Sequence, residues 1–121
     1  MKQILIVDDE PQILSLLTAI FTREGFTVIE ASNGNAAMEL LRTNTIHLII
    51  TDIIMPEKEG LEIINELRKD KSDIPIIAMS GGGKNSASRY LETAKLLGAV
   101  EVVEKPIEKN ILLDLVNKCL S

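Results

Sequence analysis

Aromatic rings are scarce in this 121-residue chain: tryptophan is absent, Tyr90 is the one tyrosine, and Phe21 and Phe26 are the only phenylalanines. Its core must therefore be filled by Ile, Leu, Val, Met and Ala, a choice that suits a sheet buried on both faces. Cysteine is reduced to Cys119, which excludes an internal disulfide and suits a reducing compartment, so a cytoplasmic protein with an inert terminal thiol is expected. Long apolar runs are missing as well. None approaches the roughly 20 residues of a membrane span, and the first, residues 4–7, is closed at once by acids, unlike a signal peptide. The mature chain is expected to start at Met1. Basic residues are outnumbered, 13 against 18 acidic, for a net charge of -5. That balance disfavours direct contact with nucleic-acid phosphates and leaves proteins, metals and small anions as the expected partners.

What the chain does have is alternation. Short runs rich in β-branched residues take turns with longer stretches of helical period, the pattern of βα units that build a mainly parallel sheet. Strands are expected at residues 3–7, 26–31, 47–51, 75–79 and 100–103. The stretch PQILSLLTAIFTREG, residues 11–25, has apolar residues at 13, 16, 17, 20 and 21, opens on Pro11 and closes on Gly25, so both ends of a helix are marked. Residues 35–44, 59–70, 85–98 and 108–120 carry similar patterns. With no linker, low-complexity tract or repeat, the expectation is one α/β domain over residues 1–121, with five strands and five helices.

Four of the strand runs end on a polar residue directly after apolar ones: LIVDD, LIITD, IIAMS and VVEK. In an open parallel sheet the carboxyl ends of the strands share one edge, where ligands bind. Asp8, Asp9, Asp52, Ser80 and Lys105 are therefore expected to converge on one pocket. Crowded carboxylates repel one another and are costly to bury without partners, so a cation is expected among them. An all-oxygen donor set suits a hard divalent ion such as Mg2+, which can keep some waters and a phosphoryl oxygen, while Lys105 adds a second positive charge. Each residue also has a plainer reading: Asp8 and Asp9 as caps of the helix near Pro11, Asp52 as a turn residue, Ser80 as loop polarity, Lys105 as a surface cation. Those readings leave unexplained why the residues follow four different strands. SGGGKN, residues 80–85, fails as a nucleotide phosphate loop, because Ala78 and Asn85 stand where Gly and Ser or Thr are required. Its glycines suit a mobile loop. His47, at a strand start far from that edge, and Met38, Met55 and Met79, in apolar contexts, read as structural.

Taken together, VDDE after the first strand, TDIIMPEKEGLE around Asp52, Ser80 after the fourth strand and EKP after the fifth resemble the receiver domain of bacterial two-component response regulators over essentially the whole chain. The resemblance implies a flavodoxin-like fold, a five-stranded parallel sheet of order 2-1-3-4-5 with five helices on both faces. It implies a phosphorylation-activated signalling switch, not an enzyme: Asp52 accepts a phosphoryl group from the phosphohistidine of a sensor histidine kinase or histidine phosphotransfer protein. Asp9, Asp52 and the backbone carbonyl of Ile54 would ligate Mg2+, with Asp8 acting through water. Lys105, followed by Pro106 with a cis peptide bond, would pair with the phosphoryl oxygens, and Ser80 would move to bond them. Each role has its own physical warrant, since a metal and a lysine neutralise charge on the transferred phosphoryl and an ionised aspartate is a competent nucleophile. The added charge and acceptors would then shift the face formed by the fourth strand, the following helix and the fifth strand, for a downstream protein effector to read.

Departures from the family pattern qualify the switch residues Ser80, Gly81 and Val102. Gly81 is the small residue the pattern asks for, but Val102 stands where relatives place an aromatic ring, so switching is expected to rest on the loop and backbone. Ile54 and Gly82 offer no polar side chain to orient an attacking water, which favours a long-lived phosphorylated form. Two other classes compete. A haloacid dehalogenase-type phosphatase would need D-x-D on the first strand, where this chain has adjacent Asp8 and Asp9, and a flavin binder would need stacking aromatics that the chain lacks.

Overall fold

The computed structural model of the chain describes residues 2–53, 60–70, 72–80, 92, 94, 95 and 98–120. Five apolar runs form the strands β1 (Gln3–Val7), β2 (Thr27–Ala31), β3 (Leu48–Asp52), β4 (Ile76–Ser80) and β5 (Glu101–Glu104), each bound within one residue of expectation. All neighbours pair in parallel, in the order β2-β1-β3-β4-β5. The helices are α1 (Pro11–Arg23), α2 (Gly34–Thr43), α3 (Gly60–Lys69) and a C-terminal helix (Lys109–Leu120). The helix expected over residues 85–98 falls mostly outside the described residues, although Glu92, Ala94 and Lys95 have helical backbone.

Strand periodicity divides the core in two, because successive side chains point to opposite faces of the sheet. Leu5, Val7, Ile49, Ile76 and Ala78 meet Ala37 of α2 and Ile63, Ile64 and Leu67 of α3 on one side. On the other, Ile4, Ile6, Leu48, Ile50, Ile77 and Met79 meet Leu14, Leu17 and Phe21 of α1 and Leu112 and Val116 of the C-terminal helix. The inner strands thus present aliphatic side chains to both layers, which is why their sequences are continuous apolar runs.

Helix ends obey local chemistry. The Asn33 side chain accepts a hydrogen bond from the Ala36 N–H (2.8 Å) and caps α2. α1 opens on Pro11 and stops where Gly25 adopts a φ of 93°. The Gly25 N–H then reaches the Thr22 carbonyl (3.1 Å), and that of Phe26 reaches Phe21 (3.0 Å). The rings of Phe21 and Phe26 meet edge to face at 6.1 Å, the apolar contact that accompanies this kind of stop.

The sheet delivers its polar ends to one edge. Beyond the strand ends the ladder continues, with the Asp8 N–H on Ala31 (3.1 Å), that of Ile53 on Met79 (3.0 Å) and that of Lys105 on Ser80 (2.8 Å).

Candidate functional site

Asp8 follows β1, Asp52 ends β3, Ser80 ends β4 and Lys105 lies one residue past β5. Among the residues expected at this edge, Asp8, Asp52 and Ser80 are buried and Asp9 is exposed. The Lys105 ammonium lies between the tips, 2.8 Å from Asp8 Oδ2 and 3.2 Å from Asp52 Oδ2. It also reaches Glu10 Oε1 at 3.3 Å. Asp8 Oδ1 accepts the Glu10 N–H at 2.9 Å, so this buried carboxylate is held by a backbone donor on one side and an ammonium on the other. The Lys105–Pro106 peptide is cis.

The capping reading of Asp8 and Asp9 does not hold. The residue in the cap position of α1 is Glu10, in extended conformation and with no side-chain cap hydrogen bond. Asp8 serves the helix entry only through the Glu10 N–H and spends its other oxygen on Lys105. Lys105 is not a surface cation either, since 11% of its side chain is exposed. Burial, the largest single influence on that ammonium, favours losing the proton. The hydrogen bond to Asp8 and the charges of Asp52 and Asp8 outweigh it and hold the group above the usual lysine range.

Carboxylate oxygens of Asp8, Asp9, Glu10 and Asp52 can all lie within 4.8 Å of one another. Among the described residues, four carboxylates against one ammonium give this corner a formal excess of three negative charges. Only oxygen donors are present among them, and hard divalent cations such as Mg2+ favour such a set over softer metals. The donor chemistry therefore fits the metal that the resemblance implies.

Ser80 Oγ is buried and has no hydrogen-bond partner among the described residues. Its place at the end of β4 puts it on the strand edge that carries Asp8, Asp52 and Lys105. Val102 is half-buried and packs against the α2–α3 core, and it also borders a groove of about 420 Å3 between β5 and the C-terminal helix. Ile54, Gly81, Gly82 and Met55 lie outside the described residues, as does most of SGGGKN. His47 is structural: its Nδ1 accepts the Gln3 N–H (2.9 Å) and its own N–H donates to the Gln3 carbonyl (2.9 Å). Met79 is buried in the core on the α1 side of the sheet, and Met38 packs against the core on the α2–α3 side. Burial raises the pKa of Cys119, with help from the Glu101 charge, which favours the protonated thiol. Glu10 joins the site through the fold and not through any signal of its own in the sequence. Its place directly after two acids was visible in VDDE, but its contact with a lysine 95 positions away was not.

Residues 4–117 match the family model described as the response regulator receiver domain, and the chain belongs to that family. It is 35% identical over 121 residues to the response regulator SaeR of Staphylococcus aureus, an alignment covering 100% of this chain and 51% of that protein. The chain thus spans about half the length of the curated relatives it matches. Response regulator TrrA from Thermotoga maritima, solved in complex with Mg2+-BeF, matches with a TM-score of 0.87 and 36% identity, covering 99% of this chain and 100% of that one. A response regulator receiver domain protein from Clostridium thermocellum gives a TM-score of 0.90 at 27% identity, covering 99% of this chain and 94% of that one. The chain is a signalling domain of the two-component type, a phosphorylation-activated switch rather than a classical enzyme. Among the described residues, no helix is long and apolar enough to cross a membrane.

Proposed function

We propose that Asp52 is the phosphoacceptor of a receiver domain spanning residues 1–121, that Lys105 and Ser80 take up the oxygens of the transferred group, and that Mg2+ serves the same edge. The observation that carries this reading is the Lys105 ammonium shared by Asp8 and Asp52, with the Ser80 hydroxyl, which has no partner among the described residues, at the neighbouring strand tip. In the reaction an Asp52 carboxylate oxygen forms a bond to phosphorus while the P–N bond of the donor phosphohistidine breaks, its electron pair staying on the imidazole. Asp52 attacks as a carboxylate and needs no general base. Lys105 faces the acids from one side and can donate a hydrogen bond to a phosphoryl oxygen as charge moves outward. Asp9 and Asp52, with the Ile54 carbonyl, would hold Mg2+, and Asp8 would act through water; the ion would supply positive charge to neutralise the phosphoryl group.

The output follows from Ser80. Bonding the phosphoryl group requires its hydroxyl to turn to the edge, which draws on Gly81 and the loop behind it and repositions the segment leading to β5 and Val102. A sensor histidine kinase or histidine phosphotransfer protein is the upstream partner in this reading, a protein effector the downstream one, and the cytoplasm the compartment. The test is incubation with acetyl phosphate. The expected product is one hydroxylamine-labile acyl phosphate per chain, dependent on Mg2+ and absent from Asp52→Asn. Repeated turnover of a generic phosphomonoester would favour the phosphatase class instead, and label that survives Asp52→Asn would remove the assignment.

A further inference from the structure

The three carboxylates around Lys105 are not equivalent. Asp8 is fully buried and pinned by the Glu10 N–H, so it cannot withdraw. Asp52 is the reacting group of the function proposed for this edge, on which the present inference rests. Glu10 alone is exposed, lies at the longest distance from the ammonium (3.3 Å), and spends no side-chain bond on capping α1. Its carboxylate nevertheless belongs to the acidic cluster with Asp9 and Asp52.

We propose that Glu10 is a positioning residue, a displaceable counter-ion that holds Lys105 in the unphosphorylated protein and gives up its place to a phosphoryl oxygen. An ammonium has three protons to donate, and in the resting structure three carboxylates surround it. A phosphoryl group arriving on Asp52 brings three acceptor oxygens and about -1.5 to -2 charge. Something must leave the ammonium, and only Glu10 can swing into water at little cost. The same charge that restrains Lys105 also attracts a divalent cation to the neighbouring carboxylates. Glu10 therefore acts in two opposed ways: it strengthens Mg2+ binding and slows uptake of an anionic phosphoryl group.

The opposition supplies the test. Wild type, Glu10→Gln and Glu10→Asp are compared in two measurements, Mg2+ affinity by calorimetry and single-turnover phosphorylation by acetyl phosphate at saturating Mg2+. In the second, an Asp52 oxygen–phosphorus bond forms as the donor P–O bond breaks, and acetate leaves with the electron pair. Glu10→Gln is expected to weaken Mg2+ binding about three- to tenfold and to accelerate phosphorylation by a similar factor, the size expected of one exposed charge at this range. Glu10→Asp keeps the charge and should return both values toward wild type. Raising the ionic strength from 0.1 M to about 1 M shortens the screening length from about 10 to 3 Å, so the difference in rate should shrink. A role confined to the helix entry would show neither the opposed signs nor the salt dependence. Unchanged values in Glu10→Gln, or affinity and rate falling together, beside a wild type that forms the acyl phosphate, would overturn this inference alone. A wild type that forms none would overturn it together with the phosphoacceptor assignment.

Discussion

Lys105 and Ser80 are opposite cases of a buried polar group, one with several partners and one with none among the described residues. Removing the ammonium in Lys105→Met leaves Asp8 buried beside Asp52 without its opposing charge, a change expected to lower unfolding stability by about 1–3 kcal/mol. The sign with pH follows from the raised pKa of this lysine. Stability contributed by a group whose folded pKa is raised is complete below its unfolded value, 10.5, and is lost as pH climbs through the folded one. Urea unfolding should therefore show a constant gap between wild type and Lys105→Met across neutral pH, narrowing only at strongly alkaline pH. Ser80→Ala should behave differently. Deleting a hydroxyl that has no partner among the described residues is expected to leave the unphosphorylated protein within about 1 kcal/mol of wild type, on the stable side if either. The phosphorylated protein should lose a bond that only it makes, read as a smaller phosphorylation-linked gain in partner affinity. A large loss of resting stability in Ser80→Ala would mean that the hydroxyl already has a partner.

At the scale of elements, Arg68 in the last turn of α3 ties together three carbonyls at the opposite edge of the sheet. Its guanidinium donates to Gly98 (2.9 and 3.3 Å), to Ser72 (2.6 Å) and to Ile74 (3.2 Å). Gly98 has a φ of 129°, a region that side chains rarely adopt, and a Cβ placed there would meet the Arg68 side chain at 2.7 Å. The end of α3, the approach to β4 and the segment before β5 are thus joined by one side chain against one glycine. Arg68→Ala should cost about 2–4 kcal/mol, since several charge-assisted bonds go at once, and Arg68→Lys should recover only part because an ammonium cannot span the same fork. Gly98→Ala should also destabilise, through both backbone strain and the clash. Only the clash vanishes when Arg68 is shortened, so the double variant should lose less than the sum of the single losses, as a double-mutant cycle by chemical denaturation can show. None of this was legible in the sequence. Apolar period, Pro11, Gly25 and the polar ends of the strand runs are local signals, and they located β1 to β5, α1 and the acidic edge. The reach of Arg68 to a glycine 30 positions on, or of Lys105 to Glu10, depends on how elements pack, which no local pattern encodes.

For the molecule as a whole, the fold gathers four carboxylates and one ammonium at a single sheet edge, although the unfolded chain would hold Asp52 far from Asp8, Asp9 and Glu10. Folding therefore brings like charges together at this edge, while aliphatic packing on both faces of the sheet supplies the stability that tolerates it. The division of labour has a thermodynamic signature. A divalent cation that binds the folded edge and not the unfolded chain must raise stability by mass action, by about 2.7 kcal/mol when its free concentration is a hundred times its dissociation constant. Thermal unfolding of wild type across a Mg2+ titration should show a midpoint that keeps rising with the logarithm of concentration, several degrees in all for a domain of this size. Asp9→Ala removes an exposed acid that is not among the carboxylates paired with Lys105 in the described residues, so it should reduce the Mg2+ shift and leave the metal-free midpoint nearly unchanged. Asp52→Asn relieves charge crowding but weakens a 3.2 Å ion pair, and with three other acids remaining the relief should prevail, giving a metal-free protein at least as stable as wild type. Sodium chloride at matched ionic strength separates specific binding from screening, because screening would raise all three proteins alike. A wild-type midpoint that does not move with Mg2+, or an Asp9→Ala protein that responds as fully as wild type, would show that the acids are assembled for their lysine and not for a metal.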